Sequence, residues 1–171
     1  MLFRSDGRSF VRRSTEKYDL IQASLVDTWA ATAAGAYTLT ENSLYTSEAF
    51  EEYLDHLTDG GMLTITRWVF DGLRLVSLAQ EACDAHHLDA AKNLAIIRYD
   101  RVATFILKKT PFTPAEVARL QQVSDDLGFT ILYAPGVAAA ADAAEPLEMQ
   151  RTRTSARDFE VARPLRRSLA P

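Results

Sequence analysis

YDLIQASL (Tyr18–Leu25) and MLTITRWV (Met62–Val69), with SEAFEEYLDHLTDGG (residues 47–61) running into the second, decide how this chain is read. Both octapeptides are β-prone and mostly apolar, as strands covered on both faces should be. Before the second, Ser47 to Leu57 sets Ala49, Phe50, Tyr53, Leu54 and Leu57 on one helical face, and Asp59-Gly60-Gly61 is the expected stop. Strand, helix and strand in that order predict an α/β fold with a parallel pair.

Outward from this unit the alternation continues. Asp71 to about His87 is the next predicted helix, with Leu73, Val76, Gln80 and Cys83 at helical spacing, which aims Cys83 at the core. Asn93 to Tyr99 and Val102 to Lys109 are strand-like and separated by Asp100-Arg101 alone, the spacing of a tight hairpin; an antiparallel pair at the end of the sheet is expected. Thr113-Pro114-Ala115-Glu116 is a strong helix start, with Thr as N-cap, Pro in the first turn and Glu three after the cap. That helix runs to about Leu127, closes at Gly128 and leads to a last strand, Phe129 to Tyr133. Ahead of Tyr18 lie a polar lead-in, Ser5-Asp6-Gly7-Arg8, and a helical turn around Ser9 to Ser14. Val26 to Tyr45 reads as a long polar loop, and loops of that length in compact domains tend to be functional.

The 171 residues are 47% hydrophobic and 25% charged, with 7 Gly and 6 Pro, the composition of a globular domain with a real core rather than a fibrous or disordered chain. Cys83 is the single cysteine, so no internal disulfide forms. Apolar runs fall well short of the roughly 20 residues that cross a bilayer, and the first ten residues lack a signal-peptide core, so a cytoplasmic location without membrane contact is expected. Net charge is −4, and residues 151–171 carry six Arg against Asp158 and Glu160, which leaves the body more acidic still and predicts no nucleic-acid partner. Cys83 and His87 lie four apart, but two ligands do not close a zinc site, so no metal is expected. From Val137 an Ala-rich run passes into an Arg-rich tail without periodicity, read as flexible.

The stretch from Asp6 to Trp68 resembles the middle of spermidine synthase-like proteins, members of the class I S-adenosylmethionine-dependent methyltransferase superfamily. The residues that carry the likeness are the DGR lead-in at Asp6, YD at Tyr18, Asp27 beyond the strand, and LYTSEAF (residues 44–50) before a helix closed by Gly60-Gly61. It extends from Asp6 to about Pro135 and matches only the later half of the family's domain. The resemblance implies a partial Rossmann-like sheet, mostly parallel with a C-terminal antiparallel hairpin, whose N-terminal strands and glycine-rich cofactor loop have no counterpart here. It divides the chain into residues 1–135, the half-domain, and 136–171, the tail.

For function, the resemblance implies aminopropyl or methyl transfer. Asp6 and Gly7 would flank the adenine of S-adenosylmethionine or its decarboxylated form, Asp6 accepting from the exocyclic amine and Gly7 offering backbone. Asp27 would serve the chemistry, while Ser24 stands where the family's base carboxylate is expected, and a serine hydroxyl is no such base at neutral pH. Trp29, Glu41, Asn42 and Tyr45 would line the loop over a small amine substrate. Four of these have a plainer reading as well: Asp27 as a turn residue, Trp29 as loop packing, Asn42 in a turn, Tyr45 against the helix near Ser47. Arg67 either holds an anionic substrate group or makes a salt bridge. Without its first strands such a half-domain binds cofactor weakly, and its strand Tyr18–Leu25 becomes a sheet edge, open to a second copy or to a complementary N-terminal half.

Overall fold

The computed structural model describes residues 7–25 and 43–138. Asp6, Asp27, Trp29, Glu41 and Asn42 lie outside the described residues, as does the tail beyond residue 138. In chain order the elements are α1 (Gly7–Arg13), β1 (Tyr18–Ser24), α2 (Ser47–Asp55), β2 (Leu57–Trp68), a 3-10 turn (Val69–Asp71), α3 (Gly72–Ala85), α4 (Ala90–Asn93), β3 (Leu94–Tyr99), β4 (Val102–Lys108), α5 (Pro114–Leu127) and β5 (Thr130–Tyr133).

The strands form one sheet in the order β1-β2-β4-β3-β5. The fold is α/β, but the sheet is mixed and mostly antiparallel, not mostly parallel as expected. Among the described residues only β1 and β2 pair in parallel; β2–β4, β3–β4 and β3–β5 are all antiparallel. The cause is where the hairpin goes. Its second strand, β4, slots between β2 and β3 instead of closing the sheet's end, and so sets a reversed strand between two that share β1's direction. Burial drives the insertion, since Ala103, Phe105 and Leu107 on alternate positions of β4 are all buried.

One face of this sheet carries the core. Ile21 and Ala23 of β1, Leu63 and Ile65 of β2, Phe105 and Leu107 of β4 and Leu94 and Ile96 of β3 are in register across it. They join Phe50 and Leu54 of α2 and Leu75, Ala79, Ala82 and Cys83 of α3 in a single apolar cluster. Each fully buried Leu or Ile here contributes roughly 1.5–3 kcal/mol of transfer free energy. The expected face of α3 is half right: Cys83 is buried, but Leu73 is 84% exposed and Leu75 takes the inward position.

Gly60-Gly61 does not end the helix. α2 stops earlier, at Asp55 with His56 as C-cap, and the glycines lie inside β2. Between the pairs Tyr18↔Leu57 and Leu20↔Met62 the β2 chain bulges outward. A Cβ on Gly61 would stand 2.8 Å from the Tyr18 carbonyl oxygen, so glycine is required by close backbone approach, and Thr58 in the same bulge donates to Asp19 at 2.7 Å. β1 also departs from expectation in its cover. It stands at the sheet edge with Leu20 51% exposed, so only the face bearing Ile21 and Ala23 is packed.

Candidate functional site

Because β1 and β2 run in parallel, their carboxyl ends meet. Ser24 is opposite Thr66, and the Leu25 amide donates to the Thr66 carbonyl at 2.9 Å. Leu25 then takes φ 45°, in the left-handed region, which costs a leucine roughly 1–2 kcal/mol and ends the strand. The carboxyl ends of parallel strands are where open α/β sheets place ligands.

Three described segments converge at this end. Arg67, next to the last residue of β2, stacks its guanidinium over the Tyr45 ring at 4.5 Å, and its Nε donates to Asp71 Oδ2 at 2.8 Å. Arg74, on the first turn of α3, donates to the Tyr45 carbonyl at 3.3 Å. Tyr45 itself is buried in the core cluster, and Tyr53 of α2 donates to the neighbouring Leu44 carbonyl at 3.3 Å. Burial works against the charge of Arg67, but Tyr45 and Asp71 outweigh it and hold the guanidinium above its ordinary range. Arg67 is therefore a fixed cation rather than a waving surface charge. Its salt bridge is real but half-buried.

Gly7 opens α1, and its exposed backbone leaves an added Cβ in open space. Arg8, its neighbour, forks onto both carboxylate oxygens of Glu52 at 3.0 and 3.1 Å and donates to the Ser43 carbonyl at 3.0 Å. This bidentate clamp, with Glu52 first among its causes, holds Arg8 above its ordinary range and draws the start of α1 to the segment that holds Tyr45. So Gly7 and Tyr45, two of the expected site residues, are tied to one neighbourhood through Arg8 and Ser43. Ser24 ends exposed on the same edge of the sheet as the Leu25 turn.

The sequence reading missed Arg8, Asp71 and Arg74. For Asp71 a signal existed, its four-residue spacing from Arg67, but that spacing becomes informative only once a 3-10 turn is known to join strand and helix. Among the described residues no group of three His, Cys, Asp or Glu side chains is arranged to hold a metal ion. Burial first, and then Asp84 and Asp89, push the Cys83 thiol up to about 11, which makes it inert as a nucleophile. No helix among the described residues is long and apolar enough to cross a membrane.

No protein-family model matches this chain, and no curated protein matches it. The site therefore stands on its own geometry.

Proposed function

We propose that residues 7–138 form the later half of a spermidine synthase-like transferase domain with a Rossmann-like sheet, and that the carboxyl ends of β1 and β2 are its substrate side. The observation that carries this reading is the convergence at one sheet end of the Leu25 turn, Arg67 stacked on Tyr45, and α1 drawn in by Arg8. The shared direction of β1, β2 and β3, with α2 and α3 packed on one face, supports it. S-adenosylmethionine or its decarboxylated form, when bound, would supply an electrophilic carbon on a sulfonium. The chain's own residues would do the rest: Gly7 offers backbone to the adenine, and Asp27 accepts the proton or orients the small amine, with Ser24 too weak a base to share that task.

Amide-resonance mapping of the full chain with each cofactor at millimolar concentration tests the proposal. Shifts are expected at Gly7–Arg8 and around Ser24–Leu25 and Arg67. An unchanged spectrum, or shifts confined to β3, β5 and α5, would overturn the reading.

A second reading is favoured by the edge position of β1. In it the chain acts without catalysis, by adding a strand from a second copy or a complementary half. The Leu25 amide bonds to β2, so strand alternation turns the amides of Leu20, Gln22 and Ser24 outward, where no described strand pairs with them.

A further inference from the structure

His56 lies outside the site just described, at the carboxyl end of α2, and joins three pieces of chain. Its ring Nδ1 is 2.7 Å from the Glu52 carbonyl oxygen of its own helix, and its Nε2 is 3.0 Å from the Ser14 carbonyl oxygen just after α1. Its own carbonyl accepts from the Tyr18 amide at 2.7 Å, where β1 begins.

Both ring partners are carbonyl oxygens, and a carbonyl oxygen only accepts. A neutral imidazole carries one N–H, so it satisfies one carbonyl and turns a lone pair on the other. The two contacts are hydrogen bonds at the same time only when both nitrogens carry hydrogen. The last turn of a helix, with its carbonyls exposed, favours a cation there. We propose that His56 is a protonation-dependent clasp that fastens the α1–β1 connection to the end of α2 and loosens it when the ring loses a proton.

Among the described residues, the charged groups that face this junction come from four elements. From α1, Arg8 and the more distant Arg12 occupy the Glu52 carboxylate. From the connection, Lys17 donates to the Asp55 carbonyl, Glu16 is exposed, and Tyr18 shares a 2.7 Å hydrogen bond with the Ser14 hydroxyl. From the end of α3, His86 stands 4.0 Å from the Asp55 carboxylate, and from the end of β4 Lys109 donates to the Leu57 carbonyl at 3.3 Å. His86 is the other imidazole at this junction among the described residues, and it touches neither Ser14 nor Tyr18 in the contacts that define the clasp.

The sign follows from the donors. The clasp is closed while both ring nitrogens carry hydrogen and opens when rising pH removes one of them. On opening, Arg8 still holds α1 to α2, so the loosened part is the segment Ser14 to Tyr18, which precedes the edge strand.

The test uses the full chain labelled for ring-nitrogen NMR, with amide exchange read in parallel and corrected for intrinsic rates. At about pH 6 both His56 nitrogens should show attached hydrogen; by about pH 8.5 one should not, and residues 14–18 should exchange several-fold faster. In His56→Gln those amides should exchange fast at both pH values, whereas His86→Gln should behave as the parent. A neutral His56 ring at the lower pH, or a pH response that disappears in His86→Gln, overturns the proposal. Should His56→Gln fail to fold, the ring nitrogens of the parent protein decide alone.

Discussion

Arg67 and Lys108 are built from the same parts at opposite ends of neighbouring strands. Each is a cation beside a ring, Tyr45 at 4.5 Å for Arg67 and Phe112 at 5.3 Å for Lys108. Each has one carboxylate, Asp71 at 2.8 Å and Glu116 at 2.5 Å. Their commitments differ. Lys108 is 4% exposed, its carbonyl accepts from buried Asn93, and Glu116 also closes the Thr113 capping box, so every partner belongs to the scaffold that docks α5. Arg67 instead holds the segment around Tyr45 at the carboxyl ends of the parallel pair β1–β2. A buried cation on an aromatic ring is thus not by itself a sign of function. Strand direction tells the two apart.

The largest effect should come from breaking the scaffold member. Lys108→Ala leaves Glu116 without its cation and opens space beside Phe112, and should cost about 2–4 kcal/mol in urea unfolding. A loss too small to measure would remove the contrast. Arg67→Ala should cost less, about 1–2 kcal/mol, because its carboxylate partner Asp71 keeps access to water. Its amide shifts should stay within residues 43–45 and 71–74. Spread of those shifts into α5 would mean that the two clusters are not independent.

Acid sharpens the comparison further. The Lys108 ammonium first, and then the Thr113 amide, hold the Glu116 carboxyl below its ordinary value. A carboxyl lowered by folding stabilises fully above its unfolded value of 4.5 and loses that contribution as pH falls through the lower, folded one. The stability gap between the parent and Glu116→Gln should therefore narrow from about pH 6 to about pH 3. A gap that stays constant over that range would contradict the pairing. The smallest effect on stability is expected at the edge: Leu20→Lys should change unfolding by no more than ~0.5 kcal/mol, yet abolish any self-association seen in sedimentation.

Legibility in the sequence tracked how local each signal was. α5 was readable residue by residue, because its capping box, first-turn Pro114 and left-handed Gly128 at φ 71° all act within a few residues of chain. The hairpin at Asp100-Arg101 was readable for the same reason, with Asp100 at φ 51° in the turn. Gly60-Gly61 misled. A glycine pair after an amphipathic run is a good helix stop, but here the constraint comes from the Tyr18 carbonyl, far away in sequence. Leu73 misled because helical spacing fixes a stripe but not its rotation, which the sheet decides by taking Leu75 instead. Of the expected site residues Tyr45 was legible as a residue of interest, but its place beneath Arg67 was not.

By itself the sequence determined most of the elements: the existence of the five strands and the longer helices, where α5 starts and stops, and that β3 and β4 are joined by a tight turn, though not α4 or the early start of β2 at Leu57. Each of these rests on backbone preferences and capping bonds between near neighbours. Only the tertiary structure decided that β4 enters the middle of the sheet, and that Arg8, Ser43, Tyr45 and Arg67 belong to one corner. Those outcomes depend on which apolar faces bury one another across long stretches of chain. That competition is settled by packing over the whole sheet, and no local preference encodes it.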